Sequence, residues 1–208
     1  MTEPTAGYAR LKSRLLRRLV QHAPLAVAAH WMFQSLLYMD RTERRFKLSL
    51  DLGLTLIGGL ALSVWLPGRI AWPAAFLLAH TLNFLFNGQL WGVLKHYGWI
   101  NHTYEAFTDY VQALHKRAQA EPAIRCLMIY GGLSRRQWTP SSDLDARIVR
   151  QPGFINGLRV CCFLLHERSR ALLARFPLDI YILDPETSLR KLNPKERPIH
   201  LIQKDKNR

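Results

Sequence analysis

Two long apolar blocks interrupt a chain whose hydrophobic and polar positions are otherwise closely interleaved. From Leu48 to Leu66 Asp51 is the only ionisable side chain, and from Ile70 to Leu94 there is no Lys, Arg, Asp or Glu. A helix crosses a bilayer with about 20 apolar residues. Both blocks reach that length, and Leu66-Pro67-Gly68-Arg69 between them reads as a tight turn. The pattern predicts a transmembrane helical hairpin with spans 48–66 and 70–94. Two buried helices of a soluble core are the competing reading. The length of the blocks and the glycines Gly53, Gly58 and Gly59 favour the bilayer.

Upstream, residues 1–47 read as a basic amphipathic and interfacial segment. Leu11, Leu15 and Leu19 share one face of a predicted helix Tyr8–Val20, with Arg10, Lys12, Arg14, Arg17 and Arg18 around them. That arrangement suits a helix lying on anionic lipid headgroups. The run Pro24 to Met39 spans only about sixteen residues and holds His30 and Gln34, so it is expected as an interfacial or membrane-packed helix.

Downstream the periods shorten. Thr103 to Gln119 is predicted helical, Pro122 breaks it, and Ile124 to Tyr130 is a predicted strand. A second strand is expected from Asp143 to Arg150 and a third from Leu178 to Leu183, closed by Asp184-Pro185. Between them Pro152-Gly153 turns the chain into a helix from about Phe154 to Arg175, with Leu158, Cys162, Leu165 and Leu172 expected to face a sheet. These elements make a domain of residues 95–192. The polar tail 193–208 carries the apolar patch Ile199 to Ile202, either a short edge element or a loose end.

Composition adds direction. The chain has 208 residues and a formal net charge of +14, enough for one small domain and a membrane module. Arg41, Arg44, Arg45 and Lys47 precede the first block and Lys95 follows the second, whereas the turn carries Arg69 alone. By the positive-inside rule both ends of the hairpin face the cytoplasm. The expected location is therefore the inner (cytoplasmic) membrane, multi-pass, with both termini in the cytoplasm. No basic motif interleaved with aromatics and no zinc pattern appears, so the charge is assigned to anionic membrane lipids rather than to nucleic acid. Cys126, Cys161 and Cys162 are read as reduced thiols. His96, His102, His115, His166 and His200 lack metal-ligand spacing and none is assigned to catalysis.

Within the second block His80, Asn83 and Asn87 share one helical face, and Asp51 lies near the start of the first. An Asp51–Asn87 hydrogen bond between the helices is expected. A groove for a lipid-linked substrate, or for a second copy of the hairpin, is the alternative.

The chemistry sits in the third quarter of the chain. Side chains at i and i+2 of a strand share a face, so Asp143 and Asp145 project together, with Arg147 on the same side. Two adjacent carboxylates repel unless a cation lies between them, and Mg²⁺ suits such a pair while keeping positions for phosphate oxygens. Asp179 in the third strand can join the cluster if the strands pair. Gly131 and Gly132 end the first strand, where glycine allows unusual backbone angles and close approach of a ligand to main-chain N–H groups. Ser134, Arg135, Arg136 and Arg150 add a hydroxyl and cations nearby.

Tyr130-Gly131-Gly132, Asp143-Leu144-Asp145 and Leu178-Asp179-Ile180, in this order and spacing, resemble the active site of the nucleotidyltransferase superfamily related to DNA polymerase beta, closest to its minimal members. The likeness covers Ile124 to Asp184. It implies an α/β (α+β) core with a small mixed sheet, here preceded by an all-α membrane module with two transmembrane helices. It also implies transfer of a nucleoside monophosphate from a nucleoside triphosphate to an acceptor, with release of pyrophosphate. By the same resemblance Asp143, Asp145 and Asp179 are catalytic and hold two Mg²⁺ ions, or Mn²⁺. Gly131, Gly132, Ser134, Arg135 and Arg147 would bind the nucleotide. Many minimal members carry Ser where Gly132 stands, and Ser134 is the substitute at hand. Anchoring points to a membrane-associated lipid, sugar or envelope precursor as acceptor, with a homo-oligomer or partner subunit meeting the hairpin. A regulatory module of the toxin and antitoxin type, or a catalytically silent membrane adaptor, are the alternatives.

Overall fold

The computed structural model describes residues 22–34, 36, 39–88, 90–183 and 198–204. The expected helix Tyr8–Val20 and the 192/193 boundary lie outside them. Helices α1 (Ala23–Phe33), α2 (Arg41–Leu62) and α3 (Gly68–Asn87) come first. A short α4 (Leu90–Leu94) and a 3₁₀ turn (Lys95–Tyr97) lead to α5 (Tyr104–Ala120). Then follow β1 (Ile124–Tyr130), a single turn α6 (Gly131–Ser134), β2 (Leu144–Arg150), α7 (Phe154–Leu173), β3 (Leu178–Leu183) and β4 (Ile199–Gln203).

The strands form one mixed sheet in the order β3-β2-β1-β4. β1 runs antiparallel to both β2 and β4, and β2 runs parallel to β3. Parallel neighbours need a crossover, and α7 supplies it. The fold is thus α+β, as expected for the C-terminal half, and the apolar patch Ile199 to Ile202 proves to be an edge strand. One face of the sheet is the core. Leu144, Ala146 and Ile148 of β2, Leu178, Ile180 and Ile182 of β3, and Ile124, Leu127 and Ile129 of β1 pack there against Phe107 and Leu114 of α5 and Val160 and Leu164 of α7. A bulge between Ile124 and Cys126 lets Ile124 and Leu127, three residues apart, reach the same face. The other face carries Asp145, Arg147 and Val149 on β2 and Asp179, Tyr181 and Leu183 on β3.

The sheet-facing side of α7 differs from expectation. Gly157, Val160, Cys161, Leu164, Arg168 and Ala171 are buried, whereas Leu158 is 45% exposed, and Cys162, Leu165 and Leu172 lie at the margin. The hydrophobic stripe is misleading because two charged residues belong to the buried side. Glu167 receives both a bidentate Arg117 and Arg170, and Arg168 enters the ion pair described next.

β3 is an edge strand, so its outward N–H and C=O groups need partners. Glu43 at the root of α2 accepts from Ile182 N at 3.0 Å, and Arg168 donates to the Ile180 carbonyl at 2.5 Å. The two side chains form a buried salt bridge of 2.5 Å. Arg168 also reaches Asn87 Oδ1, and Lys47 Nζ donates to the Asn87 carbonyl at 2.7 Å. The root of the hairpin is therefore part of the sheet domain.

Beyond its root the hairpin is two antiparallel helices in close contact. A Cβ at Gly59 would collide with the Trp72 ring, and Ala71, Ala75 and Ala79 are buried along the facing side of α3. The helix ends depart from the expected spans: α2 begins at Arg41 and stops at Leu62, and α3 stops at Asn87. Arg and Lys are good helix formers, so the basic run joins the first helix. The chain leaves α3 at Gly88, whose extended backbone passes so close to the Phe84 carbonyl that a Cβ would not fit. Among the described residues one helix, Gly68–Asn87, is long and apolar enough to cross a membrane.

The polar stripe is interhelical, with a corrected register. Asp51 pairs with His80 Nδ1 at 2.8 Å and accepts from Asn83 at 2.8 Å, while Asn87 lies lower, beside Lys47 and Arg168. α1 packs on the same helix, with Trp31 donating to Thr81 and Gln34 to the His80 carbonyl. Its 11 residues make a rod of roughly 16 Å, short of a crossing, in keeping with a packed helix.

Candidate active site

The parallel ladder brings the acids together: Asp145 stands directly opposite Asp179, and on its other side opposite Tyr130. Asp143 precedes β2 by one residue, so the strand begins at Leu144 rather than at Asp143. Asp145 carries the largest perturbation. Burial, then the negative charges of Asp143 and Asp179 and a hydrogen bond with Asp179, push its pKa up to about 8, with Arg147 pulling the other way. A carboxylate that keeps its proton beside two others marks a place where positive charge is wanted.

The glycine at position 131 answers to the same carboxylate. Its φ is +73°, in the left-handed region, and a Cβ there would overlap Asp145 Oδ2. Only glycine lets the chain turn out of β1 over Asp145. Gly132 is less constrained: a Cβ would come 3.0 Å from the Gln137 carbonyl. Ser134 Oγ donates to the Gly131 carbonyl at 3.0 Å, bracing the single turn of α6, and Arg135 lies exposed at its end. Ser142 then shapes the return loop by accepting from Thr139 N at 2.8 Å.

Cations hold the two outer acids. Arg147 Nη2 lies 3.5 Å from Asp179 Oδ2, its Nη1 donates to the Asp179 carbonyl at 3.1 Å, and its guanidinium sits 4.9 Å above the Tyr181 ring. Arg147 thus shares the face of the acids, as the alternation predicts, and pairs with one of them. Asp143 forms a salt bridge with Lys95, a pair that is largely buried. Sequence reasoning missed Lys95. It lies in the 3₁₀ turn below the hairpin, and only that turn brings it beside Asp143. His30 of α1 and His96 were missed as site neighbours too. Burial depresses both imidazoles, while Asp179 acts on His30 in the opposite sense and Asp143 does so on His96. Nothing local in the sequence links α1 to β3.

The donor set fits a divalent cation in part. Asp145 and Asp179 provide adjacent oxygens, and Mg²⁺ in phosphate sites is held by one or two carboxylates with substrate phosphates completing its shell. As the side chains stand, no group of three or more His, Cys, Asp or Glu among the described residues is arranged to hold a metal. Asp143 is turned toward Lys95, and exchanging that partner for a metal is the rearrangement a three-carboxylate centre would need. No family model matches the chain, nor does any curated protein or solved structure.

Proposed function

We propose that this chain is a membrane-anchored, metal-dependent nucleotidyltransferase. The observation that carries the reading is the convergence of Asp143, Asp145 and Asp179 at the start of two parallel strands, under a turn that only Gly131 can make. The resemblance in order and spacing supports the same assignment.

In this reading an acceptor oxygen bonds to the α-phosphorus of a nucleoside triphosphate as the bond to the bridging oxygen of pyrophosphate breaks. Bound Mg²⁺ supplies charge neutralisation on the attacking and leaving oxygens. Asp143 and Asp145 would hold the metals, and Asp179 would bind on the acceptor side and receive the acceptor's proton. Gly131, Gly132 and Ser134 meet the phosphates. Arg147, now on Asp179, and the exposed Arg135 are the cations assigned to the triphosphate. Positioning and electrostatics supply most of the catalysis in such chemistry.

Anchoring rests on the hairpin. Its far end exposes Leu56, Ile57, Leu60, Val64 and Trp65 on one arm and Ile70, Phe76, Leu77 and Leu78 on the other, with Trp65 84% exposed. A continuous apolar surface of this kind calls for lipid or a partner. In the bilayer reading α2 and α3 both insert, the sheet domain stays at the cytoplasmic face of the inner membrane, and the acceptor is a membrane-associated lipid, sugar or envelope precursor.

Full-length protein incubated with each labelled nucleoside triphosphate and Mg²⁺ or Mn²⁺, with and without lipid extract, is expected to release pyrophosphate and label an acceptor. Activity unchanged in Asp143→Ala would defeat the site assignment. The ion pairs Lys95–Asp143 and Arg147–Asp179 favour a second reading, a catalytically silent adaptor. It predicts no pyrophosphate with any nucleotide while membrane association persists.

A further inference from the structure

At the root of the hairpin, between α2 and α7, lies a cavity of about 540 Å³. Its polar lining is Thr42, Arg45, Ser49 and Arg150, its apolar lining includes Phe154 and Leu158, and no carboxylate among the described residues lines it. Arg150 is braced by bonds to Thr42 Oγ1 and the Gly153 carbonyl. Arg45 is exposed and makes no ion pair among the described residues. Thr42, Arg45 and Ser49 lie on one helical face, and the same stripe continues up α2 through Leu52 and Leu56, which are 61% and 47% exposed. Phe154, 86% exposed, stands at the rim.

We infer that this cavity binds an anionic phospholipid, with the headgroup phosphate between Arg45 and Arg150 and an acyl chain along Leu52 and Leu56. The inference rests on the reading that the hairpin enters a bilayer. The exposed charge of Arg45 selects an anion, and the polar floor running directly into an apolar stripe selects one that carries a hydrocarbon tail. A soluble phosphate would make no use of the stripe. The acids lie at the opposite end of β2 from Arg150, about 17 Å away, so the bound lipid is a fixture that seats the domain on the membrane and not the acceptor. Two guanidiniums at a lipid headgroup also place this end of α7 at the membrane surface, where Phe154 and Ile155 can enter the interface.

The test is sedimentation of the full chain with vesicles of phosphatidylcholine alone and with added phosphatidylglycerol. Wild type is expected to prefer the anionic vesicles. Arg45→Glu should lose about tenfold of that preference, as should Ser49→Trp, which fills the cavity from an exposed position. Arg41→Glu, a matched charge change outside the cavity, should retain it and so separates the cavity from general surface charge. Equal losses in Arg45→Glu and Arg41→Glu, or full preference in Ser49→Trp, would overturn the site. Displacement by millimolar glycerol phosphate would overturn the lipid and leave a small-anion site. Binding to both vesicle types without preference defeats this inference while the membrane reading stands, and failure to sediment with either defeats both.

Discussion

At Asp145 two demands conflict: the fold seats a carboxylate under Gly131 and opposite Asp179, while burial and two like charges favour its neutral form. The folded state therefore binds a proton that the unfolded chain releases from the ordinary value of 3.8 upward, and holds it to about 8. Stability falls with pH wherever the folded state binds more protons. The contribution of Asp145 is greatest below the ordinary carboxylate range, is lost between about pH 4 and about 8, and is flat above. In chelator, the Tm of wild type is expected to decline across that window, and Asp145→Asn should flatten the decline. Added Mg²⁺ should flatten it as well, by compensating the ionised cluster. An unchanged slope in Asp145→Asn, followed by scanning calorimetry, would contradict the assignment. Lys95 gives the complementary prediction. It now compensates Asp143, so a metal that takes Asp143 as a ligand must displace it, and a hydrogen bond to a charged group contributes ~1.5 kcal/mol. Lys95→Met is expected to tighten Mg²⁺ binding about tenfold by titration calorimetry and to destabilise the metal-free protein.

Among elements, the edge of β3 is the most exacting. Glu43 and Arg168 satisfy its outward groups and each other in a nearly water-free site, their side chains 2% and 1% exposed. Removing one partner of a buried pair leaves the other uncompensated, at a cost of roughly 3–5 kcal/mol. Glu43→Ala is expected to lose that much in denaturant unfolding, and the double change with Arg168→Met should cost less than the sum of the singles. Sheet and helices differ in how they can be read from sequence, for the same physical reason. The strands Ile124–Tyr130 and Leu178–Leu183 have the ends that β-branched and aromatic patterning predicts, because apolar side chains alone decide burial there. α7 does not, because Glu167 and Arg168 occupy buried positions through long-range ion pairs that no local period reports. Asp143, Asp145, Asp179 and Gly131 are legible as a cluster, since each is marked by spacing within or beside a strand. Lys95 and His30 are not, since their place depends on how α1 packs on the neighbouring helices and how the turn below the hairpin meets the acids.

Taken whole, the molecule has contacts that cross residue 95, where composition changes. The hairpin supplies Glu43 to the sheet edge and Asn87 to Arg168, and Trp91 just beyond it donates to the Leu172 carbonyl at the end of α7. A fragment of residues 95–208 would keep all four described strands and all three acids, yet it would expose β3 and leave Arg168 buried without its carboxylate. Exposed, unpaired edges invite association with other chains. Such a fragment is expected to aggregate and to melt without a cooperative transition in far-UV circular dichroism, whereas residues 40–208 in detergent should melt cooperatively. A cooperative, monomeric 95–208 fragment would show that the hairpin is a detachable anchor. If instead the root is required, movement of the hairpin reaches the acids by two short routes. One runs from Glu43 through β3 to Asp179, the other from α3 through the turn that carries Lys95 to Asp143. The hairpin and the candidate active site then form one mechanical unit. A single interhelical change at Asp51, in contact with His80 and Asn83, should alter Mg²⁺ affinity although Asp51 touches none of the three acids.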